Sequence, residues 1–203
     1  MRVTVGRESA MNTGRHDAEL AACVRRARAG DAHAINDLLR EFRPQIYRYC
    51  IARLGRLEVA EDVTQETCMA LTAALPIYRE QGKSFAAFVF GIASNKIKMS
   101  LRSSSRRPED PYDQLPDRVS ATPGPSEHAE RNDELRQLLN RLDALPERHR
   151  EILLMRVVAG LSAQEVADAL GMKSGAVRVA QHRAMNVLRQ NIGSAATGQD
   201  DTL

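Results

Sequence analysis

The chain contains no tryptophan, and four tyrosines with four phenylalanines leave aromatics at 4% of its 203 residues. Large rings are therefore scarce, and each one matters to packing or to stacking. No apolar run approaches the roughly 20 residues of a membrane span, and the N-terminus lacks the apolar centre of a secretory signal. Membrane insertion is not expected, and a cytoplasmic location is. The three cysteines, Cys23, Cys50 and Cys68, are widely spaced on or near apolar positions of predicted helices. That placement suits small buried hydrophobes in a reducing compartment. The sequence shows no nucleophile with a neighbouring base, no phosphate-cradling glycine loop and no metal-ligand cluster, and its five histidines are scattered. An enzyme, a cofactor and a bound metal are all unexpected.

What is abundant is alanine, leucine and arginine, a composition that favours helices. The net charge of +3 and pI near 8.9 are weakly basic, so the distribution of charge carries more information than its sum. The most informative stretch is residues 145–190. Ser162 precedes an apolar-periodic segment with Glu165 three residues later, a capping box. Val166, Ala167 and Leu170 form the apolar side, and Gly171 suits a left-handed stop. Ser174 then caps a second helix with Val177, Ala180, Ala184, Val187 and Leu188 turned inward. Two short helices joined by a glycine-containing turn predict a helix-turn-helix.

With that apolar set inward, the outward arc of the second helix holds Gly175, Arg178, Val179, His182, Asn186 and Arg189, flanked by Lys173, Ser174 and Arg183. No acidic residue lies between Lys173 and Gln199. The face repels no phosphate, and its arginines and asparagine suit base edges in a major groove. The plainer reading is a solvated basic face on a helical hairpin.

Ahead of this module, residues 1–16 show no period and are expected to form a loose tail. Helices follow from Asp17, from Ala32 to Phe42, and from Pro44 to Gly55, each with an apolar stripe. Residues 57–75 place Val59, Val63, Thr67 and Leu71 inward and gather Glu61, Asp62, Gln65, Glu66 and Met69 outward, with no basic residue between Arg56 and Arg79. This acidic face with an exposed methionine is either solvated surface or a docking face for a basic protein.

Pro76 ends that helix, Gly82 turns the loop, and Ser84 caps a long helix. One apolar side carries Phe85, Phe88, Val89, Ile92 and Met99, and another carries Phe90, Ile97 and Leu101. The strip left between them is Ala87, Gly91, Ser94, Asn95, Lys98 and Arg102, and Lys96 must snorkel from an apolar side. Together with Lys83, Arg106 and Arg107, this strip fits a nucleic-acid backbone, with nearby aromatics as stacking surface for single-stranded bases. Residues 106–130 hold five prolines without an apolar period and are expected to be a flexible linker that spans about 80 Å when fully extended. A second helical domain is expected over residues 131–191, and residues 192–203 are expected to be disordered.

Three segments, AEDVTQE of residues 60–66 with ALP at 74–76, FVFGIASNKI of 88–97, and the stretch 145–189, resemble in order and spacing the extracytoplasmic-function (ECF) group of bacterial sigma factors. The resemblance covers about residues 17–190 apart from the linker. It implies an all-α protein of two small domains, sigma domain 2 over residues 17–105 and a helix-turn-helix sigma domain 4 over 131–191. It further implies a transcription initiation factor whose partners are the clamp and flap of core RNA polymerase and promoter DNA. A regulating anti-sigma factor and a monomeric free state are implied by the group alone.

Carried onto this chain, Asp62, Gln65 and Glu66, with Glu61 and Met69 beside them, match the polymerase-docking helix. Asn95 matches the asparagine after the aromatic-rich helix start, within the 82–102 region that holds melted minus-ten bases. Residues 174–189 match the helix that reads the minus-thirty-five element. Thr72, Phe88 and Met99 depart from the common residues at their positions. The alternative reading is a stand-alone helix-turn-helix regulator, which would dimerise on palindromic duplex sites. A DNA-acting enzyme would need a nucleophile in the first half, and none is found there.

Overall fold

Helices and the turns between them make up all that is described in the computed structural model, which covers residues 5–80, 82–106 and 142–197, with side chains described within 17–80, 82–104 and 142–190. The first domain contains α1 (Val5–Arg28), α2 (Ala32–Leu54), α3 (Leu57–Ala74), a short 3₁₀ turn (Leu75–Ile77) and α4 (Phe85–Arg106). The second contains α5 (Glu147–Val157), α6 (Ala163–Leu170) and α7 (Ser174–Thr197). No strand occurs among the described residues.

Local chemistry sets most boundaries. Gly30 turns the chain with φ of 90°, and Asp31 caps α2 by accepting the N–H groups of His33 and Ala34 at 2.9 and 3.2 Å. The Arg26 guanidinium donates to the same carboxylate at 2.8 Å and holds Asp31 below the ordinary carboxylate range. Gly55 ends α2 in the left-handed region, and its N–H donates to the Ile51 carbonyl at 2.9 Å.

Four features differ from the sequence expectation. The helix anticipated from Asp17 begins at Val5, inside the expected 1–16 tail, because no proline interrupts this stretch and Gly6 and Gly14 only weaken a helix. The break expected at Pro44 is absent, and α2 runs through it with Leu38, Phe42, Ile46 and Tyr49 forming one buried stripe. Pro44 itself is exposed, and Gln45 Nε2 donates to the neighbouring Glu41 carbonyl at 3.3 Å, so burial on the opposite face outweighs one lost backbone bond. At the other end, α7 continues to Thr197, into the expected 192–203 tail, through residues that include two adjacent alanines and no proline. Met99, expected on an apolar side of α4, is 61% exposed, because Ile97 and Leu101 turn inward there and Met99 falls on the opposite side of the helix. The expected linker, beyond the Arg106 backbone, lies outside the described residues.

The first core is built on Leu38, Ile46 and Tyr49 of α2, Val63 and Leu71 of α3, and Val89, Phe90 and Ile97 of α4. Rings pack edge to face, Tyr49 on Phe90 at 5.7 Å and Phe42 on Phe85 at 5.5 Å, the arrangement that the ring quadrupole favours. Thr64 and Thr67 are buried within α3, and their hydroxyls donate to the carbonyls one turn back, Ala60 at 2.6 Å and Val63 at 2.7 Å. In the second domain Ile152, Met155, Val166, Val177 and Ala184 are buried together. The two cores meet: α4 packs along α6, and α2 touches α5.

Candidate nucleic-acid and partner-docking surfaces

The helix-turn-helix is assembled by local hydrogen bonds. Ser162 Oγ accepts the Glu165 N–H at 3.2 Å, and Glu165 Oε2 accepts the Ser162 N–H at 2.7 Å, completing the capping box. Gly171 ends α6 with φ of 65°. Ser174 is the first residue of α7 rather than its cap, and the Lys173 carbonyl takes the Val177 N–H at 3.2 Å. Arg156 then pins the module, donating from Nε to Gln181 Oε1 at 3.0 Å and from a terminal nitrogen to the Leu161 carbonyl.

On α7, Lys173, Gly175, Arg178, Val179, His182, Arg183 and Arg189 are exposed, while Ser174 and Asn186 are half-buried. Asn186 Nδ2 lies 3.1 Å from His182 Nε2, and Arg189 donates to Asn186 Oδ1 at 3.2 Å, so these three side chains form one polar chain along the face. Val179 at 51% exposure is an apolar contact in the middle of the arc. The structure therefore brings the expected recognition residues together on one accessible side.

The α3 face is equally coherent. Glu61, Asp62, Gln65, Glu66 and Met69 are all exposed, Met69 at 65%. Glu66 Oε2 accepts Lys96 Nζ at 3.1 Å, which is how the partly buried Lys96 snorkels out of the α3–α4 groove.

The α4 strip is different. Ser84 caps the helix by accepting the Ala87 N–H at 3.1 Å, and Lys83, Asn95 and Arg102 are exposed. Ala87 and Ser94, expected to be open, are buried at 2% exposure each, and Lys98 is half-buried. The cover is the second domain: Lys98 Nζ lies 3.0 Å from Glu151 Oε1, the Ser94 hydroxyl donates to the same oxygen, and Gly91 lies against the Ala169 backbone. The Arg106 side chain and Arg107 lie outside the described residues.

Beside the strip is a cavity of about 460 Å³ lined by Tyr78, Lys83, Phe88, Gly91, Asn95 and Asp168 among others. Tyr78 packs on Phe88 at 4.7 Å and on Phe85 at 5.3 Å, so a flat apolar ligand would meet a ring wall there. Burial pushes the Tyr78 hydroxyl pKa up, with Glu80 adding to the effect. Among the described residues no group of three or more histidine, cysteine or acidic side chains could hold a metal ion, and no helix is long and apolar enough to cross a membrane.

Glu151, Arg53, Ser84 and Tyr78 were not singled out from sequence as site residues. Glu151 carried a usable signal, because it sits one helical turn before the buried Met155 and so places a lone carboxylate on an apolar stripe.

Comparison with known proteins assigns the family. Sigma-70 region 2 matches residues 38–107, and Sigma-70, region 4 matches residues 135–188. The chain is 45% identical over 180 residues, 87% of its length and 85% of the relative's, to the ECF RNA polymerase sigma factor SigD of Mycobacterium tuberculosis strain H37Rv. The chain belongs to the ECF RNA polymerase sigma factors. This sigma factor is also 43% identical over 178 residues, 84% of its length and 93% of the relative's, to ShbA of Streptomyces griseus. Its fold is similar to that of CnrH in complex with the cytosolic domain of CnrY, with a TM-score of 0.67 and 22% identity over 85% of this chain and 96% of that one. RpoE of Bartonella quintana, in complex with the anti-sigma factor NepR, shares the fold at a TM-score of 0.61 and 23% identity over 78% of this chain and 96% of that one. An ECF sigma factor directs RNA polymerase to promoters and is not an enzyme. Core RNA polymerase and promoter DNA are thus the partners of this one.

Proposed function

We propose that the three surfaces divide the work of initiation. The α3 face of Glu61, Asp62, Gln65, Glu66 and Met69 docks on the polymerase clamp. The α4 strip of Ser94, Asn95, Lys98 and Arg102, with Lys83 before it and Arg106 and Arg107 beyond, holds the melted minus-ten strand. The α7 face, from Lys173 and Ser174 through Gly175, Arg178, Val179, His182, Arg183 and Asn186 to Arg189, reads the minus-thirty-five duplex while its domain touches the flap. The sigma factor works in the cytoplasm, is a monomer when free, and is held by an anti-sigma factor, as the RpoE chain complexed with NepR is.

The observation that carries this reading is the α7 face, an exposed arc with Arg178, His182, Arg183 and Arg189 and no carboxylate on its own helix. Arginine on such a face is the side chain that pairs with guanine edges and phosphates in a major groove. The α3 face supports it from the other domain, since an acidic patch with a central exposed methionine suits a basic protein surface and not DNA. The test is co-purification with core RNA polymerase of the chain carrying Asp62→Ala and Gln65→Ala together. Loss of binding with unchanged helical content is expected. Binding at the native level would remove α3 from the docking assignment.

A further inference from the structure

The line of the minus-ten surface that runs through Ser94 and Lys98 is occupied by the protein's own second domain, with Lys83, Asn95 and Arg102 exposed beside it, while the α7 face is open. Ala87 and Ser94 are buried, Gly91 and Lys98 are half-buried, and yet Arg178, His182 and Arg183 stand in solvent. A Cβ on Gly91 would stand 3.4 Å from the Ala169 carbonyl oxygen and 3.8 Å from its Cα, so α4 and α6 cross at backbone contact. No nucleotide fits between helices that close.

The chemistry of the cover matches the chemistry of the ligand it displaces. Glu151 is 2% exposed and accepts both Lys98 Nζ, at 3.0 Å, and the Ser94 hydroxyl. A carboxylate receiving an ammonium and a hydroxyl takes the place that a backbone phosphate would take on the same two donors. Glu147 pairs with Arg53 at 3.2 Å, Glu165 Oε1 accepts the Ser84 hydroxyl at 2.8 Å, and Asp168 reaches the cavity that holds Lys83 and Asn95. Four carboxylates of α5 and α6 thus face the basic and hydroxyl groups of the first domain.

The seam is also poised to part. Arg53 is fully buried at its side chain, and its Nε and one terminal nitrogen have no hydrogen-bond acceptor. Water would satisfy these two nitrogens on opening, so separating the domains recovers hydrogen bonds that the closed form leaves unmade.

We propose that α5 and α6 act as a self-inhibitory cover, latched by Glu151 on Lys98 and Ser94, that closes the Gly91, Ser94 and Lys98 line of the minus-ten surface while leaving the α7 face open. The inference rests on the assignment of the α4 strip to single-stranded DNA. A ligand opens the cover only if it binds the open form better than the closed one, and core polymerase or a promoter strand that competes for Lys98 meets that condition.

The test uses the full chain and two independent variants. Glu151→Gln keeps the side-chain shape and removes the charge, and Ala169→Arg places bulk where α6 meets Gly91. Small-angle X-ray scattering reads the separation of the domains, and circular dichroism confirms that each variant keeps its helices. Fluorescence anisotropy reads affinity for a fluorescein-labelled single strand of mixed sequence and for a mixed-sequence duplex. Both variants should show a larger radius of gyration and bind the single strand about tenfold more tightly, as expected if about a tenth of the native chain is open, with duplex affinity unchanged. Variants as compact as the native chain overturn the latch and leave the polymerase assignment, read by co-purification, untouched. Expansion without tighter strand binding overturns the inhibitory role and points to a wrong assignment of the α4 strip.

Discussion

Ser84 and Glu165 are bonded across 81 residues of sequence, the hydroxyl donating to Oε1 at 2.8 Å while Oε2 of the same carboxylate closes the capping box on Ser162 at 2.7 Å. One side chain therefore serves a local and a long-range purpose. Ser84 is likewise double, since its oxygen also caps α4 through the Ala87 N–H. Removing the two ends should have separable consequences. Ser162→Ala loses only the cap and should cost about 1 kcal/mol in urea unfolding. Glu165→Ala loses the cap and the Ser84 bond of the seam, and should lower the midpoint further and expand the free chain in scattering, which Ser162→Ala should not do. Equal effects on domain separation would show that Glu165 acts only within α6.

Phe90 is fully buried and packs edge to face on Tyr49, so Phe90→Ala should destabilise the first domain by about 3–5 kcal/mol. Denaturant unfolding followed by circular dichroism measures it. A loss below about 1 kcal/mol would mean that the site collapses onto the missing ring, contrary to the close packing described.

The cysteines carry a pH prediction. Burial pushes the Cys50 thiol up to about 11 from an ordinary value of 9.0, and burial also raises Cys23 and Cys68. A raised thiol pKa means less thiolate in the folded state than in the unfolded state between those two values. Stability from this source is whole below pH 9.0 and declines as pH rises toward about 11. At pH 8, iodoacetamide should modify Cys50 only after unfolding. Rapid native-state alkylation at Cys50, located by peptide mass, would contradict its burial.

Arg178 is exposed on the α7 arc, one turn ahead of His182. Arg178→Ala should weaken binding to the preferred duplex by about 1–3 kcal/mol and relax selection at one base position. An equal loss on all sequences, with a shallower salt dependence, would make Arg178 a phosphate contact instead.

What the sequence made legible was local. The Ser162 to Glu165 box, the Gly171 stop, the α3 face and the α7 arc depend on residues within one or two turns of one another, and period and capping rules reach that far. Pro44 was misread because its cost is local while the compensation, a buried stripe from Leu38 to Tyr49, lies on the far side of the helix. The seam was not legible at all. Ser94 and Glu151 are 57 residues apart, Arg53 and Glu147 are 94 apart, and the close approach of Gly91 to Ala169 uses small residues that leave no periodic mark. On α4 the helical period groups Ala87, Gly91, Ser94 and Lys98 on one line, but the second domain that buries this line lies beyond residue 130, out of reach of any local pattern.

The central claim is that these faces act together to start transcription at chosen sites. It is tested most directly by run-off transcription with purified core RNA polymerase and a library of promoter-like templates, with and without this chain. Start-site-specific transcripts are predicted only when the chain is present, and Arg178→Ala should change which templates are enriched. Transcription no more selective than that of core polymerase alone, from a chain that co-purifies with core, would contradict the account.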